Sequence, residues 1–95
     1  MNELHFEWDA AKAALNLKKH AVSFDEASTV FEDPDALVID DPEHSALEER
    51  FIIFGVNAKA RLLVVCHCLR ESESSIRIIS ARKATARERE QYAAF

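Results

Sequence analysis

The run Leu62-Leu63-Val64-Val65-Cys66 is apolar at every position, and it constrains the fold more than any other stretch. A half-buried strand alternates apolar and polar residues. A strand that is apolar on both faces needs cover above and below, which predicts a central place in a sheet. Its flanks agree: Arg50 to Val56 and Arg61 to Leu69 are apolar runs joined by Asn57-Ala58-Lys59-Ala60, a hairpin. Ile76 to Arg82 reads as a further strand after the polar turn Glu71-Ser72-Glu73-Ser74-Ser75. Ala36 to Ile39 reads as a short strand, set off by the turn chemistry of Asp41-Pro42-Glu43-His44-Ser45.

Helix signals lie at the two ends of the chain. Leu4 to Trp8 predicts a short strand, Asp9 an N-cap, and a helix follows to about Lys19. Ser23 with Glu26, preceded by apolar Val22, makes a capping box for a second helix. That helix carries Phe24, Ala27, Val30 and Phe31 inward and stops before Asp33-Pro34. Thr85 with Glu88 makes another box, opening a last helix over Ala86 to about Ala94. On the first helix, Lys12, Asn16 and the Lys19/His20 pair recur at helical intervals and predict one polar ridge. Ala10, Ala13, Ala14 and Leu17 lie opposite, small enough for close packing. The order is β-α-α-β-β-β-β-α, an antiparallel sheet with helices packed on it: class α+β. A one-residue slip in register would exchange the polar side chains that face the helices.

At 95 residues, 48% hydrophobic and 31% charged with one glycine, the chain suits one folded domain spanning 1–95 and argues against disorder. No apolar stretch approaches the ~18 residues of a membrane span. The start, Met1-Asn2-Glu3-Leu4-His5, lacks the basic and apolar regions of a signal peptide. A cytoplasmic location and no membrane partner are the expectation. Cys66 and Cys68 share a strand face too far apart for an easy disulfide, and alternation points His67 away from both. With no second Cys/His pair for a metal, reduced buried thiols are expected.

Net charge is −5, which opposes indiscriminate polyanion binding. Its distribution is uneven. Residues 32 to 49 hold eight acidic side chains and no Lys or Arg, whereas from Arg50 onward nine Lys/Arg face four Glu. A local basic surface is compatible with this pattern.

The chain has no glycine-rich phosphate loop, no zinc spacing and no Ser-centred nucleophile elbow. Its His, Arg, Lys and Glu suit RNA cleavage by the RNA's own 2′-hydroxyl, which needs a base, cations for the phosphorane charge and an acid for the leaving oxygen. His20, at the end of the first helix, is a proton-transfer candidate or a C-terminal cap. His67, in an apolar strand, reads as a hydrogen-bonded core residue. His5 and His44 read as surface. Arg77 and Arg82 interrupt or end an apolar strand; each needs a carboxylate, such as Glu48 or Glu49, or a phosphate. Arg61 and Arg70 bracket the central strand and read as snorkelling from its ends. Lys12 and Lys19 are helix-surface lysines unless the ridge is a site wall. Tyr92 either closes the core or stacks on a base.

Three blocks resemble the BrnT toxin family: Phe6-Glu7-Trp8-Asp9 with Lys12, Asn16, Lys19-His20, Val22-Ser23-Phe24 and Glu26-Ala27; Asp41-Pro42, His44-Ser45 and Glu48-Glu49-Arg50-Phe51; and Ile78 to Ala84 with Glu88 and Tyr92. The resemblance spans almost the whole chain in order. It implies a RelE-like fold and a bacterial type II toxin–antitoxin system. It also implies a metal-independent endoribonuclease that arrests translation and needs no cofactor. The implied partner is a BrnA-like ribbon-helix-helix antitoxin, through which alone operator DNA would be met, and the substrate is RNA. Working roles follow from it: Lys19, Arg77 and Arg82 bind the scissile phosphate and His20 transfers protons. Glu49 and His67 are alternates, and Arg61, Arg70 and Lys12 contact RNA. The rival is a degenerate toxin that keeps antitoxin binding and operon control without turnover. This chain departs from the family at Ala21 and Ala60, where relatives usually carry glycine; if those turns need positive φ, alanine costs ~1 kcal/mol or more.

Overall fold

The computed structural model describes residues 4–41, 49–70 and 74–94. Nine elements follow one another: β1 (His5–Glu7), α1 (Ala10–His20), α2 (Phe24–Ser28), a 3-10 turn (Thr29–Glu32), β2 (Leu37–Asp40), β3 (Phe51–Val56), β4 (Leu62–Arg70), β5 (Ser75–Lys83) and α3 (Ala86–Ala93). The sheet order is β1-β5-β4-β3-β2, so the doubly apolar strand is the central one. The expected turns at 42–45 and 71–73 lie outside the described residues, as do His44 and Glu48. No helix among the described residues is long and apolar enough to cross a membrane.

The expectation of an antiparallel sheet needs one correction. β2, β3, β4 and β5 pair antiparallel, but β1 pairs parallel to β5, with Phe6 opposite Ile76. Tight turns force antiparallel neighbours only where they join consecutive strands. No turn links β1 to β5, and packing of the whole chain sets its direction.

α1 and α2 cover one face of the sheet. Val22, Phe24, Ala27 and Val30 enter between them and the strands, against Ile53, Leu63, Val65, Ile76, Ile78 and Ala81. Each large side chain buried there contributes roughly 1.5–3 kcal/mol. Trp8 meets Phe24 edge to face at 5.8 Å, and Phe6 meets Phe31 at 5.3 Å. The single glycine, Gly55, lets the 3-10 turn close on β3: a Cβ there would stand 2.6 Å from Val30 Cγ1.

The polar ridge on α1 is oriented otherwise than its spacing predicts. Asn16 faces inward, buried. Its amide donates to the carbonyls of Val22 and Ala81, at 2.9 and 2.8 Å, and accepts from the Ala81 N–H at 3.1 Å. Leu17 and Leu15, by contrast, are exposed. Three satisfied hydrogen bonds outweigh the transfer of one leucine here, because β5 presents backbone groups that have no strand partner alongside. Ala21 closes the helix at φ 57°, its N–H donating to the Leu17 carbonyl, and Ala60 in the hairpin has φ 62°. Both turns therefore use the left-handed region without glycine.

Caps hold where expected, with one difference. Thr85 and Glu88 form the full reciprocal box. Ser23 Oγ accepts from the Glu26 N–H, but the Glu26 carboxylate turns to the β3–β4 hairpin, accepting from Asn57 and pairing with Arg61 at 3.5 Å.

α3 buries none of its residues. Two polar pins hold it: Arg82 grips Glu88, and the Tyr92 hydroxyl donates to Asp33 at 2.8 Å. Burial first, and then Asp33, push the Tyr92 hydroxyl up to about 12. Between α3 and the sheet lies an apolar cleft of about 600 Å³ lined by Leu37, Ile39 and Phe54.

Candidate functional site

The sheet face away from α1 and α2 carries the polar chemistry. Register makes it readable as rows. Val38, Ile53, Val65 and Ala81 cross four strands on the helix-covered face. On the outer face the corresponding rows are Ile39, Ile52, Cys66 and Ser80, then Leu37, Phe54, Val64 and Arg82.

A bulge in β5 fills the second row with an arginine. Cys66 pairs with Ser80 and His67 with Ile78, so Ile79 has no partner of its own. Ile76 and Ile78 point into the core before the bulge, and Ala81 does so after it. Arg77 and Arg82, five residues apart, would face opposite sides of a regular strand. The extra residue brings both to the outer face.

The hollow at the centre of that face measures about 230 Å³. Its wall includes Asp41, Arg50, Cys66, Ser80 and Arg82. Asp41 extends β2, its N–H donating to the Arg50 carbonyl at 2.9 Å, and this places the two side chains across from each other. The Cys66 thiol donates to Asp41 Oδ2 at 3.7 Å. Burial first, then the Asp41 charge, push that thiol up to about 11, so it stays protonated. Arg82 donates to both oxygens of Glu88 at 2.7 and 2.9 Å, which holds the carboxyl down to about 2.

The residues predicted from sequence disperse across this frame. Arg82 lines the hollow, and its carboxylate partner among the described residues is Glu88 rather than Glu49. Arg77 lies further along the outer face and pairs with Glu7 at 3.5 Å; Arg70 reaches the same carboxylate at 3.8 Å. Arg61 pairs with Glu26 beside the hairpin. His67 is core: 3% exposed, 4.8 Å from the Phe31 ring, with Nδ1 3.4 Å from the Val65 carbonyl. Burial depresses its pKa and keeps it neutral. Lys19 is exposed and His20 half-buried at the end of α1, in the layer over the opposite face. Lys12 is exposed in the first turn, its N–H donating to Asp9. Glu49 is exposed just before β3. None of these five lines the hollow. Cys66 and Cys68 are free thiols, and no three His, Cys, Asp or Glu among the described residues gather as a metal site.

Asp41, Arg50, Ser80 and Glu88 stand in the blocks that carry the family resemblance, and Glu88 in a capping box, but none was given a site role from sequence. The signal that unites the first three is the cross-strand register, displaced by the bulge, which no local pattern reveals; Glu88 joins them only through Arg82.

A family model describing the ribonuclease toxin BrnT of type II toxin–antitoxin systems matches residues 8–88. The chain belongs to that family. The match runs from Trp8 to Glu88 and takes in every residue that lines the hollow. The 1.1 Å crystal structure of the Brucella abortus ribonuclease toxin BrnT is similar, with a TM-score of 0.66 and 19% identity over 86% of this chain and 97% of that one. At that identity the likeness speaks for the BrnT fold alone. No curated protein sequence matches the chain.

Proposed function

We propose that this BrnT-family chain is a toxin of the cytoplasm that cleaves RNA without a metal and is neutralised by a cognate antitoxin. The observation that carries the reading is the bulge-set hollow, where Arg82 and Arg50 stand with a carboxylate and a hydroxyl on one open face. Two guanidiniums can hold a scissile phosphate and stabilise the charge that develops as the 2′-oxygen attacks. Arg77 and Arg70, further along the same face, extend the contact to neighbouring phosphates. Lys19, His20 and Lys12 contact RNA beyond the hollow. The antitoxin is a ribbon-helix-helix protein that binds operator DNA for the pair.

One observation favours a second reading, a toxin-like module without turnover: the Arg82 fork is filled by Glu88. Cleavage of end-labelled RNA by the wild type in EDTA separates the two. Arg82→Ala should lower cleavage by about 10²-fold, and His20→Ala should weaken it far less. Absence of any cleavage by the wild type sinks the enzyme reading.

A further inference from the structure

Cleavage by a 2′-hydroxyl needs a proton acceptor beside the phosphate-binding cations, and the sequence candidates are elsewhere. His67 is buried under the opposite face, His20 ends α1 in the helix layer and Glu49 stands exposed before β3; the Glu88 carboxylate, on α3, is held by Arg82 and the Thr85 N–H. Among the described residues, one carboxylate lines the hollow itself. Asp41 continues β2 past its last residue, and strand alternation sends its side chain to the outer face with Leu37 and Ile39. It is 7% exposed, set into the wall, and the Cys66 thiol fixes one of its oxygens.

We propose that Asp41 is the general base of this hollow, taking the proton of the attacking 2′-hydroxyl while Arg82 holds the scissile phosphate. The proposal rests on the ribonuclease reading above. In the step, the 2′-hydroxyl proton passes to an Asp41 oxygen and the 2′-oxygen forms its bond to phosphorus. The bond from phosphorus to the 5′-oxygen breaks, and that oxygen takes a proton from water. The products are a 2′,3′-cyclic phosphate and a free 5′-hydroxyl. Asp41 then returns its proton to solvent, so the enzyme ends as it began.

The surroundings favour this role over a purely structural one. Arg50 faces Asp41 across the strand pair, Cys66 reaches it from β4 and Arg82 stands on β5; Asp40, its chain neighbour, points to the other face. The two cations beside it attract phosphate. A protonated thiol, unlike a lysine, orients the carboxylate without neutralising it.

The test uses a fluorescent oligoribonucleotide with the full chain in EDTA, following kcat, KM and the product by mass spectrometry. Asp41→Asn should lower kcat by about 10²–10⁴-fold and leave KM within about threefold. Asp41→Glu should retain more of the rate than the amide. Wild-type kcat should stay level from about pH 8 to 6, with no histidine in the step to lose its basic form. Cleavage by Asp41→Asn within threefold of wild type overturns the proposal. So does a wild-type kcat that falls away below about pH 6.5, the mark of a histidine base. If circular dichroism shows Asp41→Asn unfolded, the wild-type pH profile decides alone. A wild type that cuts no RNA fails the ribonuclease reading, a different result from a wild type that cuts without needing Asp41.

Discussion

Arg82 donates two parallel hydrogen bonds to Glu88, and Glu88 also accepts from the Thr85 N–H at 2.8 Å. One carboxylate thus starts α3 and ties it to the outer face of the sheet. The Arg82 hydrogen bond is the main cause that lowers the Glu88 carboxyl from 4.5 to about 2. A depressed carboxylate contributes stability that is present above pH 4.5 and lost as pH falls toward 2. Glu88→Gln should flatten that part of the acid-unfolding curve and lower stability at pH 7 by about 1 kcal/mol, a modest loss because Arg82 is partly screened by solvent. Chemical denaturation across pH 2–7 measures both.

The same pair predicts an effect on ligand affinity. A phosphate approaching Arg82 must compete with Glu88 for one guanidinium fork. Glu88→Gln should therefore raise RNA affinity a few-fold in fluorescence anisotropy at low salt. Weaker binding would show that Glu88 positions Arg82 rather than occupying it.

Ala21 and Ala60 sit at φ 57° and 62°. The left-handed region costs a non-glycine residue about 1–2 kcal/mol, partly offset by the greater unfolded-state freedom that glycine brings. Ala21→Gly and Ala60→Gly should each stabilise the fold by about 0.5–1 kcal/mol. The two residues sit in different connections, α1–α2 and β3–β4, and the double variant should show the sum.

Gly55 is the reverse case. A methyl there would overlap Val30 Cγ1 at 2.6 Å and press on the Ala36 Cβ at 3.1 Å. Gly55→Ala should destabilise by about 1–3 kcal/mol. Val30→Ala made in the same chain should recover part of that loss, and the double-mutant cycle gives the coupling directly.

His67 is held neutral by burial. A histidine with a depressed folded pKa stabilises the fold fully above its unfolded value near 6.5 and progressively less below it. His67→Leu should remove the part of the acid sensitivity that begins just below pH 6.5. RNA cleavage by this variant, measured where it stays folded, should match the wild type.

Local chemistry was legible in the sequence. Asp9, Ser23 and Thr85 mark helix starts because capping needs only neighbours within three residues. Asn57 to Ala60 marks a hairpin for the same reason, and the apolar Leu62–Cys66 run marks the central strand. What depends on distant partners was not legible. Nothing near Phe6 says that β1 will lie parallel to β5. Nothing near Asn16 says that its amide will be wanted by the backbone of Ala81, 65 residues away. The site was harder still, since Arg82 was found by its cost of burial while Asp41 and Arg50 gain meaning only from the row they share.

The unpaired Ile79 makes β5 behave like two strands set half a turn out of step. Its first half gives odd positions to the outer face; its second half gives even ones. Deleting Ile79 alone would therefore leave a regular strand, with Ala81 and Arg82 on their present faces. Deleting Ser80 as well would turn the second half over: Ala81 would leave its contact with Asn16, and Arg82 would be driven beneath α1. Core and candidate site ride on the same half-strand, which cannot be re-registered for one without turning the other.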